Sequence, residues 1–403
     1  MIGLGKLGLP LAILLAKAGH QVIGIDLSEK RIDNILNLSI EPEPKVLGML
    51  EETLQSNLRV TNSYNGDFQE TEISFLIVPT PSNVTGEFIN TFLESAIESI
   101  VENSKVSDHV ICVVSTVMPG TCEFFEKHFI PSKMNNSKTN FRLAYSPEFV
   151  ALGTVIDNMQ LPDMVLIGVS EENVAGKLLP ILKSFTLNNP QIKVMSLASA
   201  EIAKISVNTF VTAKISYANM IAELSDKIPG ANKYHILDAL GADTRIGVKY
   251  LNPGLGFGGP CFPRDNKAFA KIGDSLNVNT ELAKATHSIN LRQPKIIAER
   301  INTKYLQKHK TLVFLGLAYK PGSFVTEESQ AVMLAKELSE KWDKIYVHDP
   351  LVADTSLFIG YNNVFSINSV SQIQKSDLVV VAVRWKQYED FIKDHPNENI
   401  YFV

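Results

Sequence analysis

The sequence predicts an α/β fold in which two Rossmann-like, doubly wound domains are joined by a central α domain built on a long helix. Apolar strands alternate with helices near both ends of the chain, and this alternation is typical of parallel sheets. Between these regions, residues 199–227 contain neither proline nor glycine and have the apolar content of a buried or interfacial helix. A chain of 403 residues with 45% apolar composition is long enough for two or three domains. We expect their limits at 1–198, 199–305 and 306–403.

The charge of the chain argues against a polyanionic partner. The formal net charge is −5, and acidic and basic side chains are mixed along the sequence. We therefore expect no nucleic acid partner and no basic patch for a membrane surface. No apolar run reaches the length that spans a bilayer.

The cysteines indicate a reducing compartment. Cys112, Cys122 and Cys261 are too few and odd in number for a disulfide framework, which favours a cytoplasmic protein. None lies in a metal-type pair, and the eight histidines are scattered. The sequence therefore predicts no metal site.

A glycine-rich turn opens the first helix. Gly3, Gly5 and Gly8 have the GxGxxG spacing, and an apolar helix follows them as far as Gly19. In this spacing the first glycine forms a tight turn, the second lets the backbone approach a pyrophosphate, and the third lets the helix pack on a strand. Asp26 ends the next strand, where a carboxylate can accept the ribose hydroxyls and repel a 2′-phosphate. The pattern predicts an NAD site, and the alternative is a glycine turn with a purely structural role.

The first strand of this domain is unusually short in the sequence. Only Met1 and Ile2 precede Gly3, whereas a strand of this fold has about five residues. We expect either a shortened strand or a protein that begins further upstream.

Polar residues follow three later strands of the same domain. Thr80 and Thr116 each end an apolar strand, and a strand at 141–146 leads to Glu148. Because ligands of doubly wound sheets collect at the carboxyl ends of strands, we expect these side chains to face the cofactor. The alternative for the two threonines is that they only cap turns.

Two polar side chains lie on one face of the largely apolar central helix. Lys204 and Asn208 are four residues apart, so they lie on one face of the helix. A lysine in this setting is either a solvated edge residue or a desolvated functional cation. The pairing with Asn208 favours a functional role.

Cys261 follows a run of glycines and precedes a helix. The sequence from Gly256 to Asp265 is Gly-Phe-Gly-Gly-Pro-Cys-Phe-Pro-Arg-Asp, and the helix is expected to begin near Pro263. Glycines let the backbone come close to a ligand. The positive potential of a helix N-terminus and of Arg264 favours the reactive thiolate. The alternative is a small buried residue, which most free cysteines are.

The C-terminal region repeats the alternation without the three-glycine turn. Strands are expected at 311–316, 344–349 and 377–383, a helix at 327–341 and a last strand at 401–403. We expect this domain to hold the nucleotide portion of a substrate rather than a second NAD.

Together these segments resemble the UDP-glucose/GDP-mannose dehydrogenase family, over nearly the whole chain and in the family's order. The matching stretches are the glycine turn, Val78-Pro-Thr80-Pro, Ser115-Thr116-Val-Met-Pro-Gly120-Thr, Ser146-Pro-Glu148-Phe, Lys204 with Asn208, Arg245-Ile-Gly, Gly256 to Asp265, and Gly316-Leu-Ala-Tyr-Lys320-Pro. The family oxidises the C6 hydroxyl of a sugar nucleotide to a carboxylate with two NAD⁺ in succession. The resemblance implies the same reaction here, with UDP-glucose as the first candidate because Cys-Phe-Pro-Arg-Asp resembles the glucose branch.

The resemblance also implies the covalent chemistry. Cys261 is expected to form a thiohemiacetal and then a thioester with C6. Lys204 is expected to act as the base for the alcohol or as the cation that stabilises oxyanions, and Asn208 to donate to the same oxygen. Asp265 is expected to orient Lys204.

Further contacts follow from the same resemblance. Glu148 and Thr116 are expected to hold or activate the hydrolytic water. The expected cofactor contacts are Gly3, Gly5, Gly8, Asp26, Arg31, Thr80, Thr116, Glu148 and Arg264. The expected substrate contacts are Glu148, Phe149, Leu152, Lys204, Asn208, Arg245, Tyr250, Leu251, Gly254, Gly258 and Lys320. The family usually forms a homodimer through its central helices, and Arg245 is expected to reach the neighbouring subunit's site.

Two positions depart from the family's pattern. Glucose enzymes commonly carry a second glutamate before Gly-Thr, where this chain has Leu152, so hydrolysis would depend on Glu148 alone or the sugar pocket differs. Before Glu-Ser the family usually has an arginine, where this chain has Glu327. That change removes a cationic cofactor contact and is expected to weaken NAD binding.

Other functions stay open at this point. GDP-mannose or a UDP-N-acetylhexosamine is an alternative substrate because of Leu152. A two-electron β-hydroxyacid dehydrogenase shares the N-terminal fold, the long helix and the lysine and asparagine pair, but it gives no reason for Cys261 or for a third domain. A catalytically inactive sugar-nucleotide-binding regulator would have a broken catalytic set, whereas this set is complete. The number of NADH formed per substrate distinguishes a nucleotide-sugar dehydrogenase, which forms two, from a β-hydroxyacid dehydrogenase, which forms one.

Overall fold

The computed structural model of the chain describes residues 1–134, 137–352, 355–373, 377–394 and 399–403. These residues form two compact units, Met1–Ser206 and Val207–Val403. No helix in the described part of the chain is both long and apolar enough to cross a membrane.

The first unit alternates strands and helices around a mainly parallel sheet. Its strands are β1 Val22–Ile25, β2 Leu58–Thr61, β3 Ile73–Leu76, β4 Asp108–Val113, β5 Asn140–Tyr145, β6 Met164–Val169 and β7 Gln191–Met195. Its helices are α1 Gly8–Lys17, α2 Glu29–Leu36, α3 Val46–Leu54, α4 Thr91–Asn103, α5 Thr121–Phe124, α6 Ile130–Lys133, α7 Val155–Gln160 and α8 Glu172–Ser184. The strands pair in the order β3-β4-β5-β6-β7, and β1 pairs with β2. All these pairs are parallel except β5 with β6.

Ile2 takes the place of a central strand between β1 and β3. Its N–H donates to the carbonyl of Phe75 and its carbonyl accepts from Ile77, both at 2.8 Å. On the other side, the N–H of Gly3 donates to the carbonyl of Ile25 at 2.8 Å. In this structure the strand that lies between β1 and β3 is this short bridge.

Two apolar clusters cover the two faces of this sheet. One cluster packs the strands against α1, α3, α7 and α8, and the other packs them against α4. In β4, Val110 and Cys112 belong to the first cluster, whereas Ile111 and Val113 belong to the second. Alternate residues of a strand point to opposite faces, so helices cover both faces of the sheet. The predicted doubly wound α/β fold is confirmed.

A single long helix, α9, comprises Leu197–Ser225, close to the predicted span of 199–227. Its 29 residues contain no helix-breaking residue, which explains its uninterrupted course. Lys204 and Asn208 therefore lie one turn apart on the same helix.

The second unit has its own parallel sheet. Its strands are β8 Thr311–Leu315, β9 Lys344–His348, β10 Val364–Ser366, β11 Leu378–Val381 and β12 Ile400–Phe402. The helices after α9 are α10 Lys233–Ala242, α11 Phe262–Leu276, α12 Glu281–Tyr305, α13 Gln330–Ser339 and α14 Glu389–Asp394. The strands pair in the order β10-β9-β8-β11-β12, and α12 and α13 share an apolar core with them. The strands predicted for the C-terminal region are confirmed.

Helix α13 begins three residues later than the sequence predicts. Glu328 has a left-handed backbone with φ of +50°, which is incompatible with a helix interior. Ser329 then caps the helix, because its hydroxyl accepts the N–H of Val332. The helix therefore begins at Gln330 rather than at Glu327.

Candidate active site

The three glycines of the first turn differ in what surrounds them. A Cβ at Gly3, whose φ is +87°, would lie 2.1 Å from the carbonyl oxygen of Ile77. A Cβ at Gly8 would lie 1.9 Å from the carbonyl oxygen of Gly3. No described atom lies within 4 Å of a Cβ placed at Gly5. Gly3 and Gly8 are therefore required by the turn itself, whereas Gly5 faces open space, as an approaching ligand would require.

Asp26 holds a fixed position at the carboxyl end of β1. Its Oδ2 accepts the N–H of Leu4 at 2.9 Å, and its Oδ1 accepts the N–H of Ser28 at 3.0 Å. Arg31 donates from Nε to the carbonyl of Leu4 at 2.8 Å and pairs with Glu41 at 2.5 Å. The carboxylate is thus oriented beside the glycine turn. The predicted contact of Arg31 with the cofactor stays a prediction.

The N-terminus of α1 suits an anion. The first turn of this fully described helix has no acidic residue, and the residue before it provides no side-chain cap. The positive end of the helix dipole is therefore not neutralised by a side chain of this turn and can attract a pyrophosphate. With Gly5 and Asp26, this end of the sheet fits a dinucleotide.

The threonines at the strand ends support the loops that carry them. Thr80 is buried, and its hydroxyl donates to the carbonyl of Thr116 at 2.8 Å. The hydroxyl of Ser115 accepts the N–H of Val78 at 3.0 Å and donates to the carbonyl of Val78 at 2.7 Å. These bonds tie the end of β3 to the end of β4. Thr80 therefore stabilises the loop after β4, and the cofactor contacts of Thr80 and Thr116 stay predictions.

Lys204 is a buried cation rather than a solvated edge residue. It is only 8% exposed, and its Nζ donates to the main-chain carbonyl of Glu148 at 2.7 Å. The same nitrogen lies 4.4 Å from the centroid of the Phe149 ring, within reach of a cation–π interaction. Of the two sequence interpretations, the solvated edge is excluded. Phe149 and Glu148 thus surround the lysine, as a desolvated functional cation requires.

The carboxyl group of Glu148 is a weaker acid than an ordinary glutamate. Burial raises the pKa of Glu148 from its ordinary value of 4.5 to about 7, although the nearby charge of Lys204 opposes the shift. A group with a pKa near neutrality can both accept and release a proton at physiological pH. Glu148 is therefore suited to general base catalysis.

Asn208 is oriented by a buried carboxylate. Its Nδ2 donates to Oδ2 of Asp265 at 2.6 Å, and Asp265 is fully buried. Nε of Arg264 lies 3.3 Å from the other oxygen of Asp265. The amide nitrogen carries two hydrogens, so one stays available to a ligand. The structure thus assigns Asp265 to the positioning of Asn208, and its predicted effect on Lys204 stays a prediction.

Cys261 is exposed at the beginning of α11. It is the residue before the first helical residue, Phe262, and its carbonyl accepts the N–H of Asp265 at 2.8 Å. The small buried residue that sequence considerations left open is therefore excluded. The thiol thus lies at the N-terminus of a 15-residue helix, where the helix dipole favours negative charge.

The glycines before Cys261 lie close to other parts of the chain. A Cβ at Gly256 would lie 2.0 Å from Oδ1 of Asn290, and one at Gly258 would lie 2.4 Å from the carbonyl oxygen of Glu328. A Cβ at Gly259 would lie 2.7 Å from the ring of Tyr319. The close approach that requires glycine is thus to the chain itself. The predicted approach of a ligand to these glycines, including the backbone contact from Gly258 to substrate, stays a prediction.

Other predicted substrate contacts lie in loops of the second unit. The side chain of Arg245 is 86% exposed and pairs with Asp243 of its own loop at 2.5 Å. Tyr250 is exposed and has φ of +66°. The N–H of Gly254 donates to Oδ1 of Asn219 at 2.9 Å. These loops are structured, and the substrate contacts in them stay predictions.

Three further predicted contacts are at least partly buried. Leu251 is buried, and Lys320 is partly buried with its Nζ 5.9 Å from the ring centroid of Tyr319. Leu152 packs against the apolar cluster around α1. Their roles in substrate binding also stay predictions.

Asn290 supports the cysteine loop and is missed by the sequence analysis. This residue of α12 is buried, accepts the N–H of Phe257 at 2.7 Å and donates to the carbonyl of Phe257 at 2.8 Å. Thr286 and Gln293 lie four residues before it and three after it on the same buried face. Polar residues at helical spacing on an otherwise buried face are the signal that could have identified it.

The chemistry of the first unit defines a class of enzyme. The carboxylate of Asp26 lies fixed beside the glycine turn, the position of the ribose-binding acid in dinucleotide folds, and the open side of Gly5 leaves room for a pyrophosphate. A buried lysine beside a carboxyl group that titrates near neutrality can exchange protons with an alcohol. The class is that of the NAD-dependent dehydrogenases.

Comparison with known families identifies the chain more closely. Residues 1–186, 198–292 and 313–400 match, respectively, the NAD binding domain, the central domain and the UDP binding domain of the UDP-glucose/GDP-mannose dehydrogenase family. The chain belongs to this family of NAD-dependent nucleotide-sugar dehydrogenases.

Individual relatives agree with this assignment. UDP-glucose 6-dehydrogenase of Rickettsia felis is 30% identical over 396 residues, which cover 96% of this chain and 87% of that protein. The structure of a UDP-glucose dehydrogenase from Pyrobaculum islandicum has a TM-score of 0.85 at 30% identity and covers 96% of this chain and 90% of that chain. The structure of a UDP-D-ManNAc dehydrogenase from Pyrococcus horikoshii has a TM-score of 0.82 at 25% identity, with 98% and 92% covered. The relatives thus differ in the sugar that they oxidise.

The contrast between Gly5 and Gly8 gives a testable prediction. Gly5→Ala places its methyl group in open space, so we expect an unchanged melting temperature but at least about tenfold weaker NAD binding, because the methyl group meets the pyrophosphate. Gly8→Ala drives a methyl group into the carbonyl of Gly3 and should lower the free energy of unfolding by about 1–3 kcal/mol. Thermal denaturation and calorimetric titration with NAD measure both effects. Wild-type NAD affinity in Gly5→Ala would contradict the assignment.

Proposed function

We propose that the chain oxidises the C6 hydroxyl of a nucleotide sugar to a carboxylate in two successive two-electron steps, with the sulfur of Cys261 bonded to C6 between them. The observation that supports this most is the exposed thiol at the N-terminus of α11, in the same segment as Asp265. A two-electron dehydrogenase has no use for such a thiol.

UDP-glucose is the proposed substrate and UDP-glucuronate the product. Relatives named UDP-glucose 6-dehydrogenase match 96% of this chain. GDP-mannose and the UDP-N-acetylhexosamines stay alternatives, because a relative of similar fold is named for UDP-D-ManNAc. The partly buried Leu152, which replaces a glutamate common in glucose enzymes, keeps these alternatives open.

In the first step Lys204 acts on the C6 hydroxyl. Its Nζ is largely removed from water and fixed by the carbonyl of Glu148. In the neutral form this nitrogen accepts the hydroxyl proton, and as ammonium it stabilises the negative charge that develops on the oxygen. Either form raises the tendency of C6 to lose a hydride.

NAD⁺, when bound, supplies a hydride acceptor, and two molecules in succession account for the four electrons removed. The chain would hold it through the N-terminus of α1, the open side of Gly5 and the carboxylate of Asp26. These groups bind and orient the dinucleotide.

In the second step the thiolate of Cys261 attacks the aldehyde carbon. A sulfur–carbon bond forms, and the electron pair of the C=O double bond moves to oxygen. Asn208 donates its second amide hydrogen to this oxygen, since the first is bound by Asp265. Loss of the second hydride from C6 then leaves a thioester.

Water completes the reaction by cleaving the thioester. Glu148 accepts a proton from the attacking water, for which a pKa of about 7 is well suited. The sulfur–carbon bond breaks, and the thiolate of Cys261 is restored. In total the alcohol and one water yield a carboxylate, two hydrides and three protons.

Product stoichiometry tests this proposal. NADH formation is measured with limiting UDP-glucose, GDP-mannose, UDP-N-acetylglucosamine and UDP-N-acetylmannosamine. We expect two NADH per sugar consumed and the fastest turnover with UDP-glucose. One NADH per sugar would indicate a two-electron dehydrogenase, and no turnover with any of the four would favour a binding protein.

We also propose that two copies associate through α9. Phe210, Tyr217, Met220 and Leu224 are between 41% and 67% exposed and lie seven, three and four residues apart. This spacing places them along one face of the helix, and an exposed apolar stripe of this kind marks an interaction site. The exposed Arg245 suits the proposed contact with the neighbouring subunit's substrate.

Charged substitutions on this face test the dimer. We expect Phe210→Glu with Leu224→Glu to give a monomer at micromolar concentration, because both carboxylates would be buried in the interface. The control is Leu187→Glu, which changes an even more exposed leucine of the first unit and should leave the dimer intact. Analytical ultracentrifugation measures the mass, and a dimer in the double variant would contradict this interface.

We retain three domains as a proposal, with limits at 1–198, 199–305 and 306–403. The three segments that match the family support this division. Limited proteolysis near these limits would test it.

A further inference from the structure

Glu201 is a buried carboxylate that the proposed reaction does not use. It lies on α9, has no exposed surface and precedes Lys204 by one turn. Its Oε2 accepts the N–H of Gly120 at 2.6 Å, and its Oε1 accepts the N–H of Cys122 at 2.7 Å. Burial of a carboxylate lowers the stability of the folded state unless hydrogen-bond donors replace the lost water. The N–H groups of Gly120 and Cys122 provide such donors, so Glu201 and this turn stabilise each other.

The two N–H groups begin a longer helical segment. This segment comprises α5, the π-helix Phe125–Phe129 and α6 in direct succession. Gly120 precedes it with φ of +92° and has no side chain with which to cap it. Glu201 provides the cap from a distant part of the sequence, and its charge faces the positive end of the segment.

The loop between Thr116 and Gly120 is thus held at both ends. At its beginning, the hydroxyl of Thr80 donates to the carbonyl of Thr116. At its end, Glu201 binds Gly120. Glu201 also lies within one helical turn of Lys204, whose Nζ donates a hydrogen bond to the carbonyl of Glu148. One turn of α9 therefore connects the loop of Thr116 to the lysine.

We infer that Glu201 is a positioning residue of the reaction, which caps the segment after Thr116 and thereby fixes the Thr116 loop relative to Lys204 and Glu148. The inference rests on the proposed function, in which Glu148 accepts a proton from the hydrolytic water, and on the expectation that Thr116 helps to hold that water. Small displacements of such groups reduce turnover strongly without weakening substrate binding to the same extent.

The substitution Glu201→Gln tests this role. Glutamine keeps the size of the side chain but directs an NH₂ group at one of the two N–H donors, so one bond is replaced by repulsion. We expect kcat to fall about tenfold or more, with less than about threefold change in the KM for UDP-glucose. The matched control is Glu123→Gln, because Glu123 is exposed in the first turn of the same segment and pairs with Lys127. The control should retain kcat within about twofold.

Hydrogen exchange provides a readout that needs no substrate. The amides of Gly120 and Cys122 should exchange at least about tenfold faster in Glu201→Gln than in wild type or in Glu123→Gln. If Glu201→Gln does not fold, Glu201→Asp, which keeps the charge but shortens the reach, is measured in the same way. A folded variant with faster exchange and wild-type kcat would overturn the inference, since the cap would then be structural only. One NADH per sugar in the wild type would instead overturn the proposed function, and the exchange result would still report on the cap.

Discussion

Replacement of Cys261 by alanine is expected to abolish uronate formation, with a loss of roughly 10³-fold or more in kcat. The thiol is exposed at the N-terminus of α11, and no other cysteine is exposed among the described residues. Alanine leaves the helix start intact but removes the atom that bonds to C6. Uronate is measured by chromatography and NADH by absorbance.

Binding measurements separate this effect from a loss of folding. NAD affinity should be unchanged in Cys261→Ala, since the glycine turn and Asp26 belong to the first unit. Ser275→Ala also removes a single side-chain heavy atom, near the other end of α11, and should retain full activity. In the wild type, mass spectrometry of rapidly quenched reactions should detect a sugar nucleotide bound to the peptide that contains Cys261. Substantial uronate formation by Cys261→Ala would exclude the covalent route.

Features that depend on local chemistry are predicted well from the sequence. The GxGxxG spacing identifies the turn at Gly3 and Gly8, and apolar runs identify most strands of both sheets. The absence of helix breakers identifies α9, and the proline after Cys261 identifies the start of α11. In each case neighbouring residues determine the backbone conformation, so the sequence contains the necessary information.

Features that depend on distant partners are not predicted. Asn208 meets Asp265 across 57 positions of sequence, and Gly120 meets Glu201 across 81. A buried carboxylate looks the same in the sequence whether it binds a lysine, an amide or two backbone N–H groups. Long-range packing also decides that the glycines before Cys261 face the chain itself, because nothing near Gly258 in the sequence indicates the proximity of Glu328.

Glu148→Gln is expected to slow the hydrolysis of the thioester by about 10²–10⁴-fold, the usual contribution of a general base. Because the pKa of Glu148 is about 7, the wild-type rate of this step should rise as pH increases through 7 and level off above it. Glutamine has no ionisable carboxyl group, so this inflection should disappear from the pH profile. Single-turnover experiments with quenched-flow analysis would show the thioester accumulating in the variant. An unchanged inflection near pH 7 in Glu148→Gln would assign the base to another residue.

The same pKa implies that Glu148 lowers the stability of the folded protein at neutral and higher pH. The folded state raises the pKa from 4.5 to about 7, so between these values it binds more protons than the unfolded state. Stability is therefore lost as pH rises through this window, by up to about 3 kcal/mol. Glu148→Gln should accordingly increase the free energy of unfolding at pH 8 and have little effect at pH 4, as measured by urea denaturation. Glu172→Gln, at an exposed position in the first turn of α8, should show no such gain. Equal stability of Glu148→Gln and wild type at pH 8 would contradict the raised pKa of Glu148.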